Sequence, residues 1–209
     1  MTFAPSSGAR SSASAASLAD NAERIVRTRL DELYSFTPKV LNPKQVKALH
    51  DMRIAAKRLR YVLEVTAFCF GPCAGTALRR AKELQDLLGE IHDCDEMLPL
   101  VRAAVRDLRD ADVDGLVELA ADEDDLAPAL GAAVGHADAY GGLEVLAVWL
   151  EARRMLLFER FLDRWKGLER NDFRGQLERA LAERPEPGEA KQQPVQPTND
   201  GQVSSGVPA

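Results

Sequence analysis

A run of basic residues in the first half of the chain has the spacing of one helix face. The segment LHDMRIAAKRLRYVLEV, residues 49–65, places His50, Arg53, Lys57 and Arg60 at steps of three and four residues. Side chains at those steps lie on the same side of an α-helix, here over about 15 Å from the first to the last. Arginine, lysine and protonated histidine all donate hydrogen bonds to phosphate or carboxylate oxygens. The pattern therefore indicates a surface that binds a polyanion.

Two plainer interpretations of this stripe stay open. Charged residues commonly cover a solvent-exposed helix face, and an acidic helix packed opposite would neutralise the cations. Solvated faces normally mix both signs, because oppositely charged pairs four residues apart stabilise a helix slightly. One sign repeated at this spacing repels itself, which favours a partner that carries several negative charges.

The net charge of the chain conceals this basic segment. The formal net charge is -6 at pH 7, which by itself points away from an anionic partner. Residues 21–82, however, contain thirteen Lys and Arg against five Asp and Glu, whereas residues 83–150 contain three against seventeen. A basic first half is thus followed by an acidic middle.

Composition predicts one helical domain between two polar tails. Residues 1–17 are rich in Ser and Ala and residues 185–209 in Pro, Gly, Gln and Ser, so both are expected to be disordered. Residues 18–184 are predicted to form an all-α antiparallel bundle of four long helices plus a short C-terminal helix. The predicted helices cover residues 18–36 with Ser17 as the cap, 44–70, 74–109, 143–168 and 173–182, with 110–138 as a long connection.

The remaining composition limits the setting of the protein. No run of eighteen apolar residues is present, so we expect no membrane span, and the N-terminal segment has no apolar stretch of export-signal length. Cys69, Cys73 and Cys94 are too few for a disulfide scaffold, so they are expected to be small buried thiols in a reducing cytoplasm. No cofactor is expected.

Aspartates beside the histidines suggest an alternative function. All-helical metal-dependent phosphohydrolases use a histidine, a His-Asp pair and a distant aspartate. Adjacent residues on a helix point about 100° apart, which argues against two of them binding one metal ion, and we predict no metal site. The aspartates concerned are Asp51 next to His50, Asp93 next to His92, and Asp138 near His136.

Asp95 is predicted to have a structural role. It falls on the same helical strip as the apolar residues Leu84, Leu88 and Ile91, where an unpaired carboxylate is costly. We therefore expect Asp95 to bind an arginine of the bundle or to cap a helix end.

The basic segment resembles the signature of the CHAD domain, a histidine-containing helical domain associated with inorganic polyphosphate. The pattern H-x-x-R-x-x-x-K-R-L-R-Y matches from His50 to Tyr61. The segment AKELQDLLGEIHDCDEM, residues 81–97, is similar to the following helix of that family, and residues 143–165 are similar to its closing helix. The resemblance covers nearly all of residues 18–184. The family usually contains two such repeats, whereas this chain contains one.

This resemblance implies non-enzymatic binding of polyphosphate, without catalytic residues. Nonspecific binding of nucleic acid is a further alternative, since nucleic acid is also a phosphate polymer. Sequence-specific binding is not expected, because no base-reading motif is present and Tyr61 is the only aromatic residue in the stripe. The predicted polyphosphate-binding residues are His50, Arg53, Lys57, Arg58 and Arg60, extended by Arg79, Arg80 and Lys82 and, on the fourth long helix, by Arg153 and Arg160.

The single repeat also predicts a homodimer that joins two basic stripes. The fourth long helix has apolar residues on nearly all of its sides, whereas packing in a bundle buries only one side of a helix. The additional apolar side favours a second copy of the chain as its partner. The alternative is that the short final helix, with Phe173, Leu177 and Leu181, folds back and covers the surplus within a monomer.

Overall fold

The computed structural model describes residues 9–120 and 125–183, with the side chains of residues 18–120, 125–131 and 134–183. All regular structure in these residues is helical, which confirms the predicted all-α class. Short 3-10 helices at Lys39–Leu41, Ala67–Cys69 and Pro128–Ala133 lie between the main elements. The five α-helices are α1 (Ala9–Tyr34), α2 (Val46–Thr66), α3 (Cys73–Leu119), α4 (Ala137–Arg170) and α5 (Phe173–Ala182).

The first helix begins earlier than predicted. It starts at Ala9, so Ser17 lies inside α1 and does not cap it. The segment before Leu18 is rich in alanine, the residue with the highest helix propensity, and that outweighs its serines. Residues 1–8 and the predicted tail at 185–209 lie outside the described residues.

The predicted long connection at 110–138 is also wrong, because α3 continues to Leu119 and α4 begins at Ala137. The break predicted at Gly141 and Gly142 is likewise wrong, since both glycines lie inside α4. Each glycine in a helix costs about 1 kcal/mol relative to alanine. Packing of the two helices against each other offsets that cost.

Ion pairs show how α3 and α4 are oriented. Arg102 pairs with Glu151, and Arg109 pairs with Glu144 at 2.7 Å. From the first pair to the second, the residue number rises on α3 and falls on α4. These two helices therefore run antiparallel. Next to the charged pairs, Leu150 of α4 is buried, as are Val101 and Val105 of α3.

One continuous core joins the helices. α3 packs against both α2 and α4, α1 packs against α2, and α5 contacts α1, α3 and α4. Trp165 and Phe161 of α4 are fully buried, and the Trp165 ring lies 5.1 Å from that of Tyr34 at the end of α1. Phe173 and Leu177 of α5 are buried in the same core. None of the described helices has the length and apolar character needed to cross a membrane.

The turn between α2 and α3 is held against the end of α5. The Gly71 N–H donates to the Ala180 carbonyl at 3.2 Å. A Cβ at residue 71 would lie 1.9 Å from Glu183 Oε2 and 2.9 Å from its Cβ, so this close approach requires glycine. The C-terminal helix therefore helps to fix the relative positions of α2 and α3.

Candidate functional site

The buried face of α2 sets the direction of its basic residues. Met52, Ala56 and Leu59 are completely buried, with Ala55 and Leu63 beside them, as the helical periodicity predicts. That face fixes the rotation of α2 about its axis. Arg53, Lys57 and Arg60 lie in one row beside it, partly exposed, over about 10 Å of helix. We call these three residues the α2 stripe.

The cations of the α2 stripe have no anionic partner among the described residues. The Nε atoms of Arg53 and Arg60 are buried and make no hydrogen bond. The Arg60 guanidinium lies over the Tyr61 ring at 4.4 Å, and the Lys57 ammonium is 5.7 Å from the same ring. A buried donor without an acceptor is costly, so this side of α2 has hydrogen-bonding groups that the described residues do not satisfy.

The neighbouring face of α3 leaves room for the stripe. A Cβ on Gly89 would lie 3.7 Å from Arg53 Nε, so Arg53 lies directly against α3 at a residue without a side chain. Gln85 and His92 are one turn away on the same side of α3, and Lys82 precedes them. The Gln85 Oε1 atom is buried and also makes no hydrogen bond. The seam between α2 and α3 is therefore polar and incompletely paired.

A pair of histidines closes one end of this seam. His50 Nδ1 lies 3.2 Å from His92 Nδ1, and the ring centroids are 4.5 Å apart. One ring donates to the other in this contact, so both cannot carry a proton on Nδ1 while it persists. Glu96 Oε1 lies 3.9 Å from His92 Nδ1. The sequence alone assigns His50 to the site but offers His92 only as a possible metal ligand. The signal for His92 is its position three residues after Gly89, which puts both residues on the same side of α3.

The third histidine lies elsewhere. His136 Nδ1 contacts Asp112 Oδ1 at 2.7 Å, and Tyr140 donates to the same carboxylate. This cluster ties the start of α4 to the last turns of α3. The three histidines therefore do not meet at one site, and no group of three or more His, Cys, Asp or Glu in the described residues is arranged to bind a metal ion.

Several other predicted site residues are held by acidic partners. Arg58 pairs with Glu32 of α1; burial raises the pKa of Glu32, but hydrogen bonds from Arg29 and Arg58 hold that pKa below its ordinary value overall. Arg153 pairs with Glu90 at 2.6 Å and donates to Cys94 Sγ at 3.3 Å. These arginines have their charge balanced within the molecule.

Three more predicted residues line a different surface. Arg79, Arg80 and Arg160 lie along an open groove of 1010 Å³ between α3 and α4. Arg80 donates to Gln176 of α5 at 3.0 Å. The groove also contains four acidic residues, so its charge is mixed. Those acidic residues are Glu83, Asp86, Glu90 and Asp163.

The structure thus divides the ten predicted residues into separate groups. His50 and Arg53 lie along the α2–α3 seam, with Lys57 and Arg60 following on α2 and Lys82 on α3. The others are paired on α1 and α3 or line the α3–α4 groove. The predicted buried thiols are confirmed for Cys69 and Cys94, whereas Cys73 is exposed at the start of α3.

A comparison with protein families bears on this seam. The model of the CHAD domain matches residues 2–102. Over these residues the chain is similar to the CHAD domain. The match contains α1, α2 and α3 as far as Arg102, and so it contains the α2 stripe and both histidines of the pair. The resemblance of residues 143–165 to a closing CHAD helix lies outside the matched residues and stays a prediction.

Two further comparisons found nothing. No curated protein matches the chain, and no solved structure matches it. The CHAD match and the geometry of the seam are therefore the basis for a functional proposal.

Proposed function

We propose that this protein binds inorganic polyphosphate, without hydrolysing it, along the α2 stripe. CHAD domains are associated with polyphosphate in general, and this region matches that family. The observation that carries the proposal is the contrast between paired and unpaired cations. Arg58 and Arg153 have acidic partners, whereas Arg53, Lys57 and Arg60 have none among the described residues.

The stripe suits a linear chain of phosphates. Phosphate oxygens are able to accept from the guanidinium N–H groups of Arg53 and Arg60, neither of which pairs with an acidic group among the described residues. Lys57 adds a mobile charge between them. One cation per helical turn repeats at about 5 Å, so a polyanion lying along α2 meets successive charges. Lys82 and the histidine pair extend this row on the α3 side.

Retention on immobilised polyphosphate at increasing salt tests the proposal. The variant Arg53→Gln, Lys57→Gln, Arg60→Gln removes the stripe cations. Polyanion binding releases counterions, so log affinity should fall linearly with log salt for the wild type. Losing three contacts should lower the magnitude of that slope by roughly two, taking about 0.7 per phosphate on a single strand.

The chain offers a matched control. Arg102, Arg106 and Arg109 stand on α3 with the same spacing as the stripe, and the first and last are paired with Glu151 and Glu144. The triple glutamine variant of these residues carries the same charge change and should bind polyphosphate as the wild type does. Equal loss of binding in both triple variants would mean that only net charge matters, and the stripe proposal would fail.

Duplex DNA at the same phosphate concentration distinguishes the second class of ligand. The stripe lacks base-reading groups, so we expect weaker retention on DNA than on polyphosphate. Retention on DNA equal to that on polyphosphate would indicate a general phosphate-polymer binder.

A phosphohydrolase is the other candidate, and the contact between His50 and His92 is the observation in its favour. We propose that the protein is not an enzyme, so polyphosphate incubated with Mg²⁺ or Mn²⁺ should release no phosphate. Turnover that disappears in the His92→Ala, Asp93→Ala variant would instead establish hydrolysis.

A further inference from the structure

The outward side of α4 carries a continuous apolar surface. Its residues stand at successive steps of three, one, three, three and one, which follow one side of a helix over about 17 Å. Five of them are between 50% and 70% exposed, and Ala152 at their centre is also exposed. We call this surface the α4 outer face; it consists of Val145, Val148, Trp149, Ala152, Met155 and Leu156.

The final helix does not cover this surface. α5 buries Phe173 and Leu177 near the C-terminal end of α4, where Trp165 and Leu168 are also buried. In the alternative, a monomer, α5 covers all the apolar residues of α4 that the bundle does not bury. That alternative therefore holds only for the C-terminal end of α4. On the inward side of α4, Leu150 and Leu157 pack into the core, so the α4 outer face is additional to the bundle contacts.

The exposed area is large for a monomer. Five of its six side chains are at least half exposed along one side of the helix, whereas the largest apolar patch on a typical monomeric protein is about 300–600 Å² and often functional. Specific interfaces bury about 1,200–2,000 Å² in total, shared between the two partners. The same surface on two copies would supply the apolar centre of such an interface.

We infer that a second copy of this chain packs on the α4 outer face, with the two α4 helices antiparallel. A two-fold axis between residues 150 and 151 places Trp149 against the partner's Ala152, so the largest side chain meets the smallest. The same axis places Val145 against Leu156 of the partner subunit. Isologous contacts of this kind bury both copies of one patch at once.

The ends of the surface agree with this arrangement. Glu159 and Arg160 bound it on one side, and Gly141 and Gly142 bound it on the other. In the antiparallel pair the charged residues of one copy face the glycines of its partner. A Cβ added at either glycine meets no atom within 4 Å in the single chain, so there is open space for the charged side chains.

This interface is separate from the α2 stripe. The outer face lies on α4, and α3 packs between α4 and α2. The dimer therefore carries two α2 stripes that do not need to meet, and a long polyanion that engages both gains avidity from the linkage. The inference about the dimer stands whether or not polyphosphate is the ligand.

Light scattering of the full chain at tens of micromolar tests the inference. We expect a mass twice the 22.9 kDa of one chain. Ala152→Arg, which places a charge at the centre of the contact, should give a monomer with unchanged helical circular dichroism. Leu100→Arg is the matched control, because Leu100 is 63% exposed on α3, and it should remain dimeric. A wild-type mass of one chain, or a dimer that persists in Ala152→Arg, overturns the inference.

Cysteine cross-linking tests the orientation. In a Cys73→Ser background, which removes the exposed thiol, the variants Val145→Cys and Leu156→Cys are oxidised separately and as a mixture. The antiparallel contact predicts a disulfide-linked dimer in the mixture only. Cross-linking of Val145→Cys with itself would show a parallel contact and refute the proposed arrangement.

Discussion

Replacing Asp95 with alanine should lower the free energy of unfolding far more than replacing a residue of an exposed ion pair. Asp95 of α3 binds the guanidinium of Arg154 of α4, and their side chains are only 8% and 14% exposed. Arg154 also donates to the Pro43 carbonyl at 2.9 Å, in the connection that leads to α2. The carboxylate thus holds an arginine that joins α4 to the start of the stripe helix.

The burial of the pair sets the expected magnitude. Removing one partner of a buried ion pair costs about 3–5 kcal/mol, because the remaining charge is left without compensation. Arg154 keeps its bond to Pro43 and retains slight exposure, so we expect the lower end, about 3 kcal/mol. For a chain of this size that corresponds to a fall of roughly 6–12 °C in melting temperature.

Urea unfolding followed by circular dichroism measures this cost. Glu151→Ala is the control, since Glu151 and its partner Arg102 are about half exposed, at 47% and 56%. Exposed pairs contribute about 0–1 kcal/mol, so this variant should change little. The double variant Asp95→Leu, Arg154→Leu removes both charges and should recover much of the stability that Asp95→Ala loses.

A loss of less than about 1 kcal/mol in Asp95→Ala, equal to that of Glu151→Ala, would refute the reasoning. It would mean that the Arg154 guanidinium becomes hydrated once its partner is removed, so that no unpaired charge stays buried. Failure of the double leucine variant to recover stability would show instead that the carboxylate acts through its shape and not through its charge.

Three further predictions concern the α3–α4 pair. The hydrogen bond from Tyr140 is the chief cause of the lowered pKa of Asp112. The ionised Asp112 carboxylate therefore stabilises the fold above about pH 4, and this effect is lost as pH falls through the lowered pKa. The difference in urea midpoint between the wild type and Asp112→Asn should shrink as pH falls through that window. Burial raises the pKa of Tyr140 to about 12, so its contribution is complete below about pH 10 and is lost as pH rises toward 12, a loss that Tyr140→Phe should abolish. Gly141→Ala and Gly142→Ala should each raise the free energy of unfolding by about 0.5–1 kcal/mol, measured against Gly71→Ala, whose Cβ would collide with Glu183 and which should lose stability.

Local periodicity was sufficient for much of the fold. The apolar positions of α2 predicted both the helix and the direction of the stripe, and Phe173–Ala182 was predicted at its observed boundaries. Asp95 was recognised as a structural carboxylate because it interrupts an apolar strip, and its bond to Arg154 confirms that prediction. Patterns of this kind are readable because the side chains of one helix repeat at a fixed angle.

The extent of α3 and α4 was not readable in the same way. Gly115, Gly141 and Gly142 lower the local helix propensity, so the sequence predicts a connection across residues 110–138. Packing between the two helices overrides that propensity. The cost of a glycine is local, whereas the contacts that offset it join residues 28 and 35 positions apart.

The sequence by itself determined which residues are basic and which helix face carries them, because both depend only on composition and on the 3.6-residue repeat. Only the tertiary structure decided which of those cations remain without a partner. Arg153 and Arg160 share one strip of α4, yet the first is neutralised by Glu90 and the second has no ion pair among the described residues. His50 and His92 are 42 residues apart and meet at 3.2 Å. Pairing depends on the register of one helix against another, which is set by core packing over the whole chain and leaves no local repeat in the sequence.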